Sequence, residues 1–174
     1  MIHAYDDLYL LDAKRKLSIV VDYLAYCCEC SNLDIQKILS KSTFLKLFCE
    51  GNPLYISGMS GIELAKLVAS EFIDISNIHD YEPTFEKTPE YWAGWVLADY
   101  CWYSFCDLER VLYAVSFDEI LSMYAVYHEV GKNRFYEAMD IKVKNGTLKA
   151  NMKVIEQIRD YLKLNSKIIS SNIM

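Results

Sequence analysis

Acid–base chemistry near neutral pH would depend on very few side chains, because the sequence contains only 3 histidines. His3 lies at the start of the chain, where we expect fraying, and His79 lies in an irregular segment, whereas His128 is followed directly by Glu129. A His–Glu pair can transfer protons when a cleft tunes the pKa of each group. At a turn the same pair more often braces a helix junction, so we name His128 and Glu129 as candidate site residues without a catalytic assignment.

Cysteine and serine are the other residue types that could carry chemistry. Cys27, Cys28 and Cys30 are close in sequence, but the paired Cys-x-x-Cys spacing of a structural zinc site is missing. We therefore expect reduced thiols that pack like small apolar side chains, and neither a metal nor a cofactor. Ser60 lies in GMSG, which superficially resembles a serine nucleophile turn, but Glu63 three residues later instead predicts a capping box.

Aromatic side chains form a different kind of candidate site, and they are concentrated in residues 88–105, TPEYWAGWVLADYCWYSF. Thr88 can cap a helix there, and Pro89 suits its first turn. The helix is apolar on nearly every side, which predicts a buried, central position. Packing in the core explains most of its aromatic residues, and a ligand pocket or partner surface is the alternative. The candidate ligand or partner surface comprises Tyr91, Trp92, Trp95, Tyr127, His128 and Glu129.

The composition predicts which kind of fold positions these residues. Of the 174 residues 53% are hydrophobic and 14% aromatic, with only 6 Gly and 3 Pro, unlike a disordered or a turn-rich β protein. No apolar run reaches the roughly 18 residues of a membrane span, and the N-terminus does not resemble a signal peptide. We expect a cytoplasmic, all-α protein: an orthogonal bundle of about seven to nine helices around the Trp-rich helix, with little or no strand.

Periodicity and capping patterns predict where these helices begin and end. Besides the Trp-rich helix, we expect helices at about 6–28, 34–40, 43–50, 61–72, 108–115, 117–124 and 132–144. Residues 54–56 resemble a brief extended piece, and residues 74–87 form the longest irregular connection. We expect Asn145-Gly146 to end a helix, followed by a hinge at 147–150 and a last helix capped by Asn151.

Charge is distributed unevenly along the chain. The net charge is −6, yet residues 141–174 contain 7 Lys or Arg and only 2 Asp or Glu. We therefore divide the chain into a helical domain, 1–146, and a basic helical appendage, 147–174. The appendage could contact phosphates weakly or lie on the acidic body. The candidate nucleic-acid contacts are Lys149, Lys153, Arg159, Lys163 and Lys167.

Three stretches of the sequence resemble one bacterial family. They are GMSGIELA at 58–65, EYWAGWVLADYCW at 90–102 and YHEVGKNRFYEAMD at 127–140. They resemble the uncharacterised helical N-terminal domain of Firmicutes proteins that also carry a phage-repressor-type helix-turn-helix. The resemblance extends over about residues 4–170. It implies a helical architecture and a link to gene regulation, and it implies no established activity.

The appendage is similar to the start of such a helix-turn-helix. The matching positions are Ile155, Ile158, Arg159 and Leu164, with Asn165 as the cap of a second helix. Lys163, Ser166 and Ile168 depart from the family pattern, where glycine, glutamine and glutamate are usual. Because the chain stops at Met174, we expect the helix-turn-helix to be incomplete and specific DNA reading to be absent.

The favoured function is therefore non-enzymatic: a regulatory or protein-interaction domain that binds a protein partner or a second copy of itself in a homodimer. Two alternatives stay open. One is a small-ligand-binding protein or enzyme with a pocket between the Trp-rich helix and the 124–131 turn. The other is a partner in a toxin–antitoxin or phage-defence system.

Overall fold

The computed structural model describes residues 3–82 and 87–171, with side chains described as far as Leu162. In these residues all regular structure is helical and no strand is present, so the predicted all-α class is confirmed. A short 3₁₀ turn at Asp7–Tyr9 precedes α1 (Leu10–Tyr26), α2 (Asn32–Lys41), α3 (Thr43–Cys49), α4 (Pro53–Ile56), α5 (Gly61–Ser70), α6 (Pro89–Ser104), α7 (Leu108–Ala114), α8 (Phe117–Tyr127) and α9 (Lys132–Ser171).

Short polar side chains cap most of these helices at their first turn. Ser60 accepts a hydrogen bond from the backbone N–H of Glu63, whose carboxylate accepts one from the N–H of Ser60 in return. Ser116 and Glu119 form the same box at the start of α8. Thr88 caps α6 by accepting from the N–H of Tyr91. These predicted helix starts are confirmed, because capping depends on residues that are close in sequence.

Helices α1 and α6 pack along each other more extensively than any other pair. Gly94 permits this, because a Cβ at that position would lie 2.6 Å from the carbonyl oxygen of Leu17 on α1. Ala93 and Ala98 are also buried at the centre of α6. Small side chains thus let two backbones meet, and the Trp-rich helix shares the centre of the bundle with α1.

The three tryptophans lie at the edges of this contact. Trp92, Trp95 and Trp102 are all only partly buried, although α6 itself is central. Trp102 contacts the N-terminal segment, where the His3 ring stacks on it at a centroid distance of 3.7 Å. The expectation that His3 lies in a frayed terminus is therefore wrong, since stacking and a contact of 3.0 Å to the carbonyl oxygen of Trp102 hold its ring.

A buried carboxylate on α1 holds the long irregular connection between α5 and α6. Asp22 is 3% exposed and accepts hydrogen bonds from the hydroxyls of Tyr81, at 2.8 Å, and Thr88, at 2.5 Å. Residues 83–86 of this connection, including Pro83, lie outside the described residues. The bonds to Asp22 fix the start of α6 and thereby the first part of its aromatic surface.

The largest correction to the sequence-based prediction concerns α9, which is one helix of 40 residues. The predicted stop at Asn145-Gly146, the hinge at 147–150 and the cap at Asn151 are wrong. Gly146 permits close packing instead, because a Cβ there would lie 1.7 Å from the carbonyl oxygen of Ala114 on α7. The backbone also continues as helix through Leu164 and Asn165, so the predicted helix-turn-helix break is absent there.

Residues 151–171 of α9 are called the distal arm below. All its residues with a described side chain, 151–162, are exposed. Phe135, Tyr136 and Met139, near the start of α9, are by contrast buried against the body. The division into a body and a basic appendage stays a prediction, but the two parts are joined by continuous helix. A smaller correction concerns residues 54–56, which belong to the helical turn α4 and are not extended.

Candidate functional site

Four of the six predicted surface residues meet in one cleft between the start of α6 and the end of α8. This aromatic cleft has a volume of about 210 Å³. It is lined by Lys87, Tyr91, Trp92, Trp95, Tyr124 and His128. Lys87 and Tyr124 were missed by sequence reasoning, although Tyr124 is one helical turn before His128 and Lys87 directly precedes the cap of α6.

Ring contacts fix the wall of the cleft that α8 contributes. The edge of the Trp92 ring meets Tyr124 at a centroid distance of 5.6 Å, and Tyr124 stacks on His128 at 4.5 Å. His128 also donates from Nδ1 to the carbonyl oxygen of Tyr124, 2.7 Å away. These contacts hold the His128 ring at the C-terminus of α8. They agree with the interpretation that the His128–Glu129 pair stabilises a helix junction.

Glu129 does not complete an acid–base site inside the cleft. Its carboxylate oxygen lies 3.5 Å from Nε2 of His128, but its side chain is 84% exposed. Solvent at that position screens the interaction between the two side chains, and the carboxylate lies outside the cleft lining. The geometry therefore favours binding over proton transfer.

Two lysines supply positive charge at the α6 side of the aromatic cleft. Lys87 Nζ lies 5.1 Å from the centre of the Tyr91 ring and 5.0 Å from that of Trp95. Lys14 Nζ lies 4.7 Å from the Trp95 ring and also forms an ion pair of 2.9 Å with buried Asp99. Because Asp99 already neutralises Lys14, the exposed Lys87 is the better placed of the two to attract an anionic group.

Tyr127 lies outside the aromatic cleft and packs on another side of α8. Its ring meets Phe135 at a centroid distance of 6.0 Å. It contributes instead to a shallow depression between the end of α8 and the start of α9, of about 610 Å³, which we call the α8–α9 groove. The groove is lined by Val126, Tyr127, Val130, Arg134, Glu137, Ala138 and Ile141.

Sequence reasoning also missed a cavity of about 280 Å³ near the N-terminus, lined by Tyr5, Trp102 and three cysteines among other residues. Burial raises the pKa of the Cys49 thiol to about 12 and that of Cys101 well above its usual value. Both thiols are thus protonated near neutral pH and are poor nucleophiles. All six cysteines are free. Because Cys49, Cys101 and Cys106 are far apart in sequence, only the fold brings them to one cavity.

Among the residues that the structure describes, no group of three or more His, Cys, Asp or Glu side chains is arranged to hold a metal ion. None of the helices in the same residues has both the length and the apolar content that crossing a lipid bilayer demands.

The exposed surface of α9 is the second candidate site. Its large apolar side chains lie mainly on one side of the helix and form what we call the apolar stripe. The stripe consists of Ile141, Leu148, Met152, Val154, Ile155, Ile158, Tyr161 and Leu162. Lys149 and Lys153 are exposed on the opposite side, and Arg159 borders the stripe. The side chains of Lys163 and Lys167 lie outside the described residues.

Comparisons with known proteins do not assign either site. No protein-family model matches the chain, and no curated protein or solved structure shows significant similarity to it.

Proposed function

We propose that this chain is a non-enzymatic, cytoplasmic protein-interaction domain of a bacterial regulatory protein, and that the distal arm is its binding element. The observation that carries the proposal is the apolar stripe, which continues along a stretch where every described side chain is exposed. Large exposed apolar patches on folded proteins mark interaction surfaces. A partner that covers the stripe would remove this surface from water.

The energetics of isolated helices support the same proposal. Most of the stability of a helix in a protein comes from packing of its apolar face and not from the helix propensity of its residues. The distal arm projects beyond the body for about 30 Å at 1.5 Å per residue. A bound partner would supply the packing that the body does not supply.

Specific DNA recognition is not part of the proposal. Reading bases requires a separate recognition helix placed in the major groove, and α9 instead runs without a break through the residues described. Lys149, Lys153 and Arg159 are exposed and suited to salt-sensitive contact with phosphates only. A toxin–antitoxin or phage-defence role would use the same arm with a different partner.

Site-specific photo-crosslinking in cells tests the proposal. We would place a benzoylphenylalanine at Ile158, on the apolar stripe, and compare it with one at Gln157, which is also exposed but faces away. We expect a discrete crosslinked product from position 158 alone, and its loss when Ile155→Lys is added. Equal products from both positions, or none from either, would show that the arm is not a binding element.

The aromatic cleft supports a second candidate function, the binding of a small ligand. The specific observation is that Lys87 lies close to the faces of Tyr91 and Trp95 at the mouth of a preformed cleft. We would screen planar aromatic carboxylates by thermal shift. Stabilisation should disappear in Trp95→Ala and persist in Trp102→Ala, whose tryptophan is also partly buried but lies elsewhere. Stabilisation that survives Trp95→Ala would exclude this cleft.

A further inference from the structure

We propose that the partner of the distal arm is α9 of a second copy of this chain, bound antiparallel. This inference rests on the proposed function of the arm as a binding element and adds the identity of its partner. The resulting dimer would be two-fold symmetric, with the distal arm of each copy lying against the first half of α9 in the other copy.

Apolar residues repeat along α9 with the seven-residue period of a coiled coil. Ile141, Leu148, Ile155 and Leu162 are spaced seven residues apart and are 63%, 55%, 50% and 60% exposed. A stripe with this period remains facing one partner helix when two helices supercoil. A period of seven therefore favours a helical partner over a flat protein surface.

The second core position of each repeat is mostly polar. Residues three after the first position are Lys144, Asn151, Ile158 and Asn165, of which only Ile158 is apolar. Polar residues at core positions restrict the register of a coiled coil at a cost in stability. The dimer therefore depends on the first position of each repeat and on Ile158.

Charge repeats on the opposite side of the helix. Lys142, Lys149 and Glu156 also follow one another at intervals of seven, and Lys153 lies between them. This arrangement leaves most of the charge on the side away from the stripe. Lys144 and Arg159 lie on the stripe side, where their long side chains can keep the charged ends in water.

The area of the stripe is sufficient for a dimer. It contains eight large apolar side chains, each of which is at least 45% exposed. At on the order of 100 Å² for each side chain, one copy contributes roughly 800 Å², which is what each partner contributes to an interface of standard size.

The charge of α9 opposes this pairing and does not select its orientation. Residues 141–162 contain 5 Lys or Arg and 2 Asp or Glu, so two copies of this segment laid side by side repel each other. The antiparallel orientation rests instead on the receiving surface for the end of the arm.

The α8–α9 groove gives the end of the arm a receiving surface. Val126 and Val130 are 64% and 39% exposed there, and Ile141 belongs to both the groove and the stripe. A pairing centred between residues 151 and 152 places Leu162 opposite Ile141 of the partner subunit. The remaining turns of the arm then reach the groove, so one continuous surface is self-complementary, as a two-fold interface requires.

Sedimentation equilibrium of the full chain tests this inference. We expect a dimer at micromolar concentration, and Ile155→Lys should raise its dissociation constant roughly 30-fold or more, as loss of a central apolar contact does. The matched control is Gln157→Lys, which introduces the same charge on the same exposed stretch but faces away from the stripe. The control should remain dimeric. Ile158→Lys provides a second stripe variant, and near-ultraviolet circular dichroism verifies that the body stays folded in each.

Cysteine crosslinking tests the orientation. Leu162→Cys mixed with Ile141→Cys should give a disulfide-linked heterodimer on mild oxidation, whereas neither Leu162→Cys alone nor the wild-type chain, which keeps the six native thiols, should give a linked dimer. A linked dimer of Leu162→Cys alone would indicate parallel arms and overturn the inference. So would a monomer at every concentration, or a dimer that both stripe variants leave intact. A monomer whose Ile158 position still crosslinks to another protein in cells would overturn the dimer and leave the proposed function standing.

Discussion

At the scale of single residues, the capping box of α8 joins local structure to pH. A hydrogen bond from the backbone N–H of Ser116 lowers the pKa of the Glu119 carboxyl, and Lys142, 3.7 Å away, acts in the same direction. Because the pKa is lower in the folded state than in the unfolded chain, the ionised carboxylate stabilises the fold above the ordinary value of 4.5. That stabilisation is lost as pH falls through the folded-state pKa.

We expect Glu119→Gln to destabilise the protein modestly at neutral pH, by about 0.5 kcal/mol, because half of the side chain is exposed and solvent screens it. Well below pH 4.5 the difference between the two proteins should shrink, since Glu119 is then protonated. Urea denaturation at both pH values measures this. An equal difference in the free energy of unfolding at both pH values would mean that the charge of Glu119 does not contribute to the stability of the capping box.

Residue-scale features were the most predictable from sequence. Ser60, Thr88 and Ser116 cap helices as expected, because a cap involves residues at most three apart. The partners of His128 were not predictable, because its stacking on Tyr124 depends on helix geometry. Lys87 was missed because its contact with Trp95 joins a residue before the first turn of α6 to a residue inside that helix.

At the scale of helices, the contact between α1 and α6 depends on the missing side chain of Gly94. A Cβ there would come within 2.6 Å of the backbone of Leu17 and Ser18, which cannot move without shifting α1. We expect Gly94→Val to destabilise the fold by about 3 kcal/mol or more, as overpacking against backbone does.

Gly131→Ala is the control for this substitution, because no atom lies within 4 Å of a Cβ at that turn. It should change the free energy of unfolding by less than about 0.5 kcal/mol. Chemical denaturation monitored by tryptophan fluorescence measures both variants. Near-wild-type stability of Gly94→Val would mean that α1 and α6 are not held as closely as described.

Helix boundaries were predictable where a cap or a turn glycine marks them, as at Gly51, where φ is +80°. Gly146 shows the limit of this reasoning. A glycine after asparagine resembles a helix stop, yet at this position it allows α9 to approach Ala114. The sequence alone does not distinguish these two uses, because the neighbour that decides is about thirty residues away.

At the scale of the whole molecule, the packing of α7 against α9 determines how the arm is attached. Gly146→Val would force these backbones apart, since a Cβ would lie 1.7 Å from the carbonyl oxygen of Ala114. We expect this variant to loosen α9 while the α1–α6 centre stays folded. Hydrogen exchange should therefore accelerate in α7 and in the first half of α9 more than in α1. Uniform acceleration in all helices would show instead that α9 is part of the same cooperative unit.

The overall architecture followed from composition and periodicity, whereas the sites followed only in part. A pocket was expected between the Trp-rich helix and the 124–131 turn, and four of the six candidate residues line one cleft there. The exposed stripe was not expected, because the predicted break at Asn145-Gly146 divided the repeat that runs from Ile141 to Leu162. Only a continuous helix shows that these residues share one side.

That continuity has a mechanical consequence. A helix of 40 residues is about 60 Å long and resists bending, so the part packed on α7 and the part beyond it behave as a single lever. A tilt of about 10° at the contact with Ala114 would displace the far end by about 7 Å, enough to separate it from a paired helix. A change in how α9 packs on the body therefore produces a larger displacement at the C-terminal end of the helix.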